Sequence, residues 1–281
     1  MQQTYARLEA VRPAARPGFH SGFYSGFRSA VLDFDGTINL IREGWQQIMI
    51  PYFTDLLNET PQGRDMDRAL LEDLAREFIF LHTGKQTIYQ CIAAAAEIEK
   101  LGGAAEDPQA YKDEYHRRLL ERIDGRLRGL ENSHINPETL TVPGSYALLD
   151  LLRDRGLTLY LASGTDEEYV LQEAELLGVT GYFEGRIYGA QREYKTFSKR
   201  MIIERLLREH QLSGEQLLGF GDGYVEIENV KAVGGTAIGV ASNEAERCGI
   251  DDWKRERLLR AGADAIIADY RDLPALTDYL F

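Results

Sequence analysis

Blocks of apolar residues separated by polar turns predict a parallel sheet that is covered by helices. A short apolar run, Ala30 to Phe34, stops at the polar turn Asp35-Gly36-Thr37, as a buried parallel strand does. After Pro143-Gly144, predicted helices alternate with predicted strands at 157–162, 186–188, 216–220, 236–240 and 265–267. Strands that alternate with helices imply right-handed crossovers and helices on both faces of the sheet. We therefore expect an α/β fold with a Rossmann-like parallel sheet core.

A long segment with helical periodicity lies between the first strand and the second. Four helices are expected there, at 45–57, 67–81, 86–101 and 108–130. Pro51 should kink or divide the first helix, because proline removes a backbone donor and clashes with the preceding turn. The segment predicts an α-helical cap domain inserted into the α/β domain. The expected boundaries are an N-terminal extension at 1–28, a core domain at 29–43 and 141–281, and a helical cap domain at 44–140.

The overall charge argues against polyanionic partners. The chain has 281 residues with 32 Lys plus Arg and 45 Asp plus Glu, a formal charge of -13. Such a charge repels nucleic-acid backbones and anionic membrane surfaces, so we expect neither as a partner. No apolar run is expected to span a bilayer or to act as a secretory signal. Cys91 and Cys248 lack the spacing of a disulfide framework or zinc site, so a cytoplasmic protein is expected, with its oligomeric state open.

Polar residues follow the predicted strands at their carboxyl ends, where open α/β sheets bind ligands. The first strand leads into Asp33 and Asp35, the second into Ser163, and a later strand into Asp222. Side chains two residues apart in an extended segment point the same way, so Asp33 and Asp35 would repel each other without a nearby cation. The alternative is that these two carboxylates only cap a turn. Gly36 makes the backbone permissive where a phosphate must approach closely.

These residues match, in order, the signature motifs of a known family. Asp33-Phe34-Asp35-Gly36-Thr37 reads DxDGT after an apolar strand, and Ser163 follows the next strand. Lys199 precedes the strand that ends at Gly221-Asp222. From about residue 29 to the C-terminus, the chain resembles the haloacid dehalogenase superfamily, in its phosphatase branch with a helical cap after the first strand. One five-residue match could arise by chance, whereas four ordered matches at strand ends favour the resemblance.

The resemblance implies a Mg²⁺-dependent phosphatase that acts on a small phosphorylated metabolite. It implies that Asp33 is the nucleophile that becomes an aspartyl phosphate, and that Asp35 is a general acid and then a general base. Mg²⁺ would be held by the carboxylates of Asp33 and Asp222 and by the backbone carbonyl of Asp35. The implied roles are catalytic for Asp33, Asp35, Ser163 and Lys199, substrate-binding for Gly36, Thr37, Ser163, Gly164 and Lys199, and metal-binding for Asp33, Asp35 and Asp222.

Several of these assignments stay open in the sequence. Lys195 lies just upstream of Lys199 and could replace it, and Ser163 could be an ordinary residue before a helix. Glu226 stands in place of the second acid of the family's GDxxxD motif and could reach the metal directly or through water. The five histidines are expected to be surface or interface residues. Cap residues that could read the leaving group, or could simply be solvated, are Arg42, Trp45 and the turn Gly84-Lys85-Gln86-Thr87.

Other functions are compatible with the same residues. A phosphomutase or phosphotransferase would use the same site but pass the phosphoryl group to a sugar hydroxyl. A haloalkanoic dehalogenase is less favoured, because Asp35 and a metal have no role in displacing halide. A non-catalytic regulatory protein would be marked by the loss of Asp33 or Asp35, and both are present. The substrate stays open, since the core recognises little beyond the phosphoryl group.

Overall fold

The computed structural model describes residues 8–12 and 26–281, and its strands form one sheet. The strands are β1 Glu9–Ala10, β2 Ser29–Leu32, β3 Thr158–Asp166, β4 Ile187–Ala190, β5 Leu217–Gly221, β6 Thr236–Val240 and β7 Ala265–Ile267. Their order across the sheet is β1-β7-β6-β5-β2-β3-β4. Only the β1/β7 pair is antiparallel among these described strands. The predicted α/β fold with a Rossmann-like sheet is confirmed.

Helices connect the strands and form the segment between β2 and β3. The helices are α1 Gln46–Asn58, α2 Arg68–Leu81, α3 Ile88–Lys100, α4 Pro108–Glu131, α5 Ser145–Asp154, α6 Glu167–Leu176, α7 Thr180–Phe183, α8 Lys199–Glu209, α9 Tyr224–Ala232, α10 Asp252–Ala261 and α11 Leu273–Leu280. Most bounds agree with the predicted ones within a few residues. The short helix α7 and the helix α10 were not predicted, and α10 contributes to the site described below.

Both faces of the sheet are buried, as the alternation along β2 shows. Ala30 and Leu32 belong to one apolar core, and Val31 between them belongs to the other. Successive side chains of a strand point to opposite faces, so each face needs its own layer of helices. Helices α5, α6 and α11 cover the first face, and α8, α9 and α10 cover the second. Complete burial of a side chain such as Leu32 stabilises the fold by about 1.5–3 kcal/mol.

Helices α1 to α4, here called the cap, pack their apolar faces on one another. Contacts within the cap include Phe53 of α1 against Phe78 of α2, with ring centroids 5.6 Å apart. Asp67 begins α2 by accepting a hydrogen bond from the amide of Ala69 at 2.8 Å, an N-cap worth about 1 kcal/mol. The position of the cap between β2 and α5 places it beside the carboxyl ends of the strands. Its status as a separate domain stays a prediction.

Pro51 does not divide α1, which was one of the two effects that the sequence predicted for it. The helix runs without a break from Gln46 to Asn58 with Pro51 inside it. Residues on both sides of the proline, including Met49 and Phe53, are completely buried in the core. Packing of this face outweighs the one hydrogen bond that proline cannot donate.

Part of the expected N-terminal extension belongs to the sheet. Glu9 and Ala10 pair with β7, and Glu9 forms an ion pair with Arg255 of α10 at 2.6 Å. The remainder of that segment, apart from residues 8–12 and 26–28, lies outside the described residues. Within the described ranges, no helix combines the length and the apolar character needed to cross a membrane.

Candidate active site

The turn after β2 brings backbone and carboxylates together. The amide of Asp33 donates to the carbonyl of Phe220 at 2.9 Å, which continues the pairing of β2 with β5. Gly36 then takes a positive φ of 73°, and a Cβ added there would lie 2.2 Å from Oδ2 of Asp222. Two independent constraints, the left-handed backbone and the contact with Asp222, therefore require glycine at this position.

Lys199 lies against Asp33, and Lys195 does not. Nζ of Lys199 is 2.7 Å from Oδ1 of Asp33 and also binds Glu226 of α9, and all three side chains are buried. Lys195 is exposed and stacks on the ring of Tyr194. Burial acts to lower the pKa of Lys199, but the two carboxylates outweigh it, so the ammonium stays charged. Glu226, for which the sequence left contact with the metal open, binds the lysine through Oε1.

A second buried lysine, Lys254 of α10, lies beside Asp222. Its Nζ is 2.8 Å from Oδ2 of Asp222 and 2.6 Å from Oε1 of Glu244. Ser242 links this group to the turn after β2, since its hydroxyl donates to the carbonyl of Gly36 at 2.8 Å. Neither Lys254 nor Glu244 was predicted from sequence. The surrounding helix is polar at most positions, and no motif distinguishes Lys254 from the arginines of the same helix.

The excess of buried negative charge fits a divalent cation. Burial raises the pKa of Asp33 well above its ordinary value; Lys199 opposes this rise, and Glu226 and Asp222 add to it. Among the described residues, no group of three or more His, Cys, Asp and Glu side chains is arranged to hold a metal. A metal here would need a backbone oxygen beside the Asp33 and Asp222 carboxylates, and the carbonyl of Asp35 is the expected one. Such hard oxygen donors suit Mg²⁺.

The carboxylate of Asp35 is held from two sides. Oδ1 accepts a hydrogen bond from Nδ2 of Asn39 at 2.8 Å, and Oδ2 accepts one from the hydroxyl of Thr165 at 2.8 Å. The hydroxyl of Ser163 lies farther away, 3.4 Å from Oδ2, and accepts from the amide of Thr165 at 3.0 Å. Both side chains come from β3, which continues to Asp166 instead of ending at Ala162 as expected. Thr165 and Asn39 were not predicted from sequence.

A cavity of about 120 Å³ lies between the strand ends and the cap. The core contributes seven of the eight predicted site residues to its lining, namely Asp33, Asp35, Gly36, Ser163, Gly164, Lys199 and Asp222. Thr37 does not line this cavity; it is completely buried, and its carbonyl accepts a hydrogen bond from Tyr270 at 3.0 Å. Of the cap candidates, Arg42, Trp45, Gly84, Lys85 and Thr87 line the cavity.

The cap is in contact with the core around this cavity. Gln86 donates from Nε2 to the carbonyls of Tyr194 at 2.9 Å and Phe197 at 2.8 Å, so it docks the cap loop instead of facing the cavity. A Cβ added at Gly164 would lie 2.5 Å from the carbonyl oxygen of Lys85. The backbone of Gly164 therefore packs closely against the cap loop.

Comparison with known proteins agrees with this arrangement. The model of the family described as haloacid dehalogenase-like hydrolase matches residues 27–234. The chain belongs to the haloacid dehalogenase-like hydrolase family. No curated protein matches this hydrolase. Glu244 and Lys254 lie outside the matched segment, which explains why the family motifs did not point to them.

Three solved structures illustrate the shared fold of this hydrolase. A predicted phosphoglycolate phosphatase from Haemophilus somnus has 16% identity and a TM-score of 0.57, covering 89% of this chain and 98% of that one. A predicted phosphatase from Clostridium acetobutylicum has 17% identity and a TM-score of 0.56, covering 90% and 99%. A β-phosphoglucomutase from Clostridium difficile has 12% identity and a TM-score of 0.54, covering 83% and 98%.

Proposed function

We propose that this hydrolase is a Mg²⁺-dependent phosphatase that removes phosphate from a small phosphorylated metabolite through an aspartyl phosphate on Asp33. The observation that carries the proposal is the convergence of Asp33, Asp35 and Lys199 on one cavity beneath the cap. A nucleophile, a proton donor and a fixed cation are the protein groups that phosphoryl transfer needs. The two free cysteines and the negative charge are consistent with a cytoplasmic enzyme that binds neither nucleic acid nor membrane.

In the first step an oxygen of Asp33 forms a bond to phosphorus while the bond to the leaving oxygen breaks. Asp35 gives its proton to that leaving oxygen. In the second step Asp35 takes a proton from water, the water oxygen bonds to phosphorus, and the bond to Asp33 breaks. Inorganic phosphate leaves, and both carboxyl groups return to their starting state. Lys199, which stays charged, holds Asp33 in place through both steps, first as nucleophile and then as leaving group.

Residues of β3 would hold the phosphoryl oxygens. Ser163 and Gly164 line the cavity, and the hydroxyl of Ser163 and backbone amides near Gly164 would donate to these oxygens. The carboxylates of Asp33 and Asp222 and the carbonyl of Asp35 would hold Mg²⁺. When bound, the ion supplies positive charge that offsets repulsion between the nucleophile and the phosphoryl group.

The cap side of the cavity favours a small leaving group. Its lining includes the apolar side chains of Trp45, Met49 and Leu119 together with Tyr115. A cavity of about 120 Å³ beneath the cap favours a small metabolite over a polymer as the substrate. This lining is the part of the chain that we expect to set substrate preference.

The test is phosphate release from a panel of sugar phosphates, phospho-acids, phosphoamino acids and nucleotides, with Mg²⁺ and with EDTA. We expect phosphate release that needs the metal. Asp33→Asn should abolish this release and also the acid-stable phosphoprotein signal that the wild type shows. Asp73→Asn, on the exposed side of α2, is the control and should retain full activity. Release that persists in Asp33→Asn would exclude the nucleophile assignment. Transfer to a sugar hydroxyl without release would show a phosphomutase instead.

A further inference from the structure

A buried polar side chain, Asn39, connects Asp35 to a second carboxylate that the proposed reaction does not use. Nδ2 of Asn39 donates to Oδ1 of Asp35 at 2.8 Å and to Oε2 of Glu173 at 2.7 Å. Asn39 is 1% exposed and Glu173 of α6 is 2% exposed, so water does not compete for these bonds. An amide nitrogen carries two hydrogens, and each is directed to one of the two carboxylates.

The orientation of the Asn39 amide follows from its third contact. Its Oδ1 accepts a hydrogen bond from the backbone amide of Ile41 at 2.9 Å. A backbone N–H can only donate, so the oxygen of the side-chain amide must face Ile41 and the nitrogen must face the carboxylates. Reversing the amide would leave Ile41 without an acceptor and would place the side-chain oxygen against two carboxylates.

Arg42 holds the carboxylate of Glu173, the second carboxylate that Asn39 contacts. Its Nε is 2.8 Å from Oε1 and 3.1 Å from Oε2 of Glu173, and its Nη2 lies 2.6 Å from Oε1. Nε therefore donates to both oxygens of the carboxylate, and this charge-assisted contact constrains Glu173 more tightly than one neutral hydrogen bond does. Burial raises the pKa of Glu173, and Arg42 opposes that rise. The geometry thus runs from Arg42 through Glu173 and Asn39 to Asp35.

A donor on Oδ1 restricts where Asp35 can carry its proton. Because Nδ2 of Asn39 has no lone pair to accept a hydrogen bond, Oδ1 must act as an acceptor in every state of Asp35. The other oxygen, Oδ2, faces the hydroxyls of Thr165 and Ser163, which can both donate and accept. Asp35, Thr165 and Ser163 all line the cavity. Asp35 must do so if it is to reach a leaving group.

We propose that Asn39, oriented by Glu173 and Arg42, is a positioning residue that confines proton transfer by Asp35 to its Oδ2. This inference rests on the proposed function, in which Asp35 protonates the leaving oxygen. The role is specific to leaving groups that need a proton. A leaving group that departs as a stable anion is insensitive to the position of the acid.

The test compares Asn39→Ser with wild type on two substrates: the best alkyl phosphoester of the panel and 4-nitrophenyl phosphate. Serine can still accept from the amide of Ile41 two residues on, but it is too short to reach Asp35. The quantity compared is kcat/KM, which reports formation of the aspartyl phosphate and not its hydrolysis. Asn136→Ser is the matched control, because exposed Asn136 accepts from the amide of Glu138 two residues on at 3.1 Å.

We expect Asn39→Ser to lower kcat/KM for the alkyl phosphoester by about 100-fold or more, the usual worth of general acid catalysis. For 4-nitrophenyl phosphate kcat/KM should change by less than about tenfold, while kcat falls because hydrolysis still needs Asp35. Asn136→Ser should change neither. An equal fall in kcat/KM for both substrates, or no change in either, would overturn the positioning role. A wild-type protein that releases phosphate from neither compound would refute the proposed function itself and, with it, this role.

Discussion

At Gly36 the backbone of the turn after β2 comes into contact with the carboxylate of Asp222. Several other contacts at the carboxyl ends of the strands also depend on one particular side chain. Lys199 and Lys254 each bridge two carboxylates, and Asn39 bridges two more. At the residue scale the site is therefore a set of short, specific contacts, and small changes in position should affect activity more than stability.

Gly36→Ala should abolish most activity while leaving the protein folded. The added Cβ would lie 2.2 Å from Oδ2 of Asp222, so this carboxylate must move. Misplacement of a catalytic group by about 1 Å can reduce the rate about 100-fold. Gly156→Ala is the control, because Gly156 also has a positive φ, 77°, but its Cβ would meet nothing within 4 Å.

Both variants should lose about 1–2 kcal/mol of unfolding free energy from the strain of a left-handed backbone, and Gly36→Ala should lose about 1–3 kcal/mol more because its Cβ crowds Asp222. Only Gly36→Ala should lose phosphatase activity. Urea unfolding and phosphate release on the same preparations measure the two quantities. Equal activity in the two variants would contradict the close contact between Gly36 and Asp222.

At the element scale, loops and helix ends from distant parts of the chain join the cap to the core. Tyr224 and Arg257 of the core donate to the carbonyls of Leu81 and Phe80, at the end of α2, each at 2.8 Å. Lys112 of α4 forms an ion pair with Asp166 at the end of β3. These contacts hold the cap against the core, so the fit between cap and core should control access to the cavity that lies between them.

Gly164→Ala should weaken closure of the cap loop on β3. The added Cβ would lie 2.5 Å from the carbonyl oxygen of Lys85, and overpacking of this kind costs about 1–3 kcal/mol. If that cost falls on the closed state, kcat/KM should drop by about 5- to 150-fold. Gly181→Ala, whose Cβ would meet nothing within 4 Å, is the matched control. An unchanged kcat/KM for Gly164→Ala would show that the cap loop does not close in this way during turnover.

At the scale of the whole molecule, burial of titratable groups between cap and core links stability to pH. Burial lowers the pKa of His116 of α4 to about 4; Arg42 and Lys112 act in the same direction, and Asp166 and Asp113 oppose them. Its ordinary pKa in an unfolded chain is about 6.5. The unfolded state therefore binds this proton first as the pH falls, and folding becomes less favourable between about pH 6.5 and 4.

His116→Gln should flatten the acid part of the stability profile. Relative to this variant, the wild type should lose up to about 3 kcal/mol more unfolding free energy between pH 6.5 and 4. Above pH 6.5 the difference between the two should be constant. His134→Gln at an exposed position should follow the wild type. Parallel profiles for wild type and His116→Gln, from urea unfolding at several pH values, would contradict a buried neutral histidine.

The tryptophans offer a measurement of ligand binding that does not depend on turnover. The chain has two tryptophans, Trp45 and Trp253, and both line the cavity. Inorganic phosphate with Mg²⁺ should displace water from their surroundings and shift the emission to shorter wavelengths. Trp45→Phe and Trp253→Phe each leave one reporter and show which side of the cavity responds. Unchanged emission at phosphate concentrations that inhibit the enzyme would place the bound phosphate elsewhere.

The sequence by itself determined most of the elements, though not α7 and α10, and the residues at the ends of β2 and β5. Buried strands and amphipathic helices have distinct periods, so β2, α2, α4 and β6 could be predicted nearly to the residue. Asp33, Asp35 and Asp222 could be found because each directly follows an apolar strand, where a parallel sheet presents its ligand-binding edge. One sequence signal could have pointed to the Asn39 contacts. Glu173 lies on the same face of α6 as Val170 and Ala174, and a glutamate on an apolar face needs a buried polar partner.

Only the tertiary structure decided which partners these residues meet. Asn39 and Glu173 are 134 positions apart, and no local pattern relates residues at such a separation. Lys254 reaches Asp222 from α10, and Lys199 rather than Lys195 reaches Asp33, because the packing of α8 and α10 on the sheet sets the direction of each side chain. Pairing of β1 with β7 and continuity of α1 through Pro51 follow from the same cause. Local propensity is a small free energy, and long-range burial outweighs it.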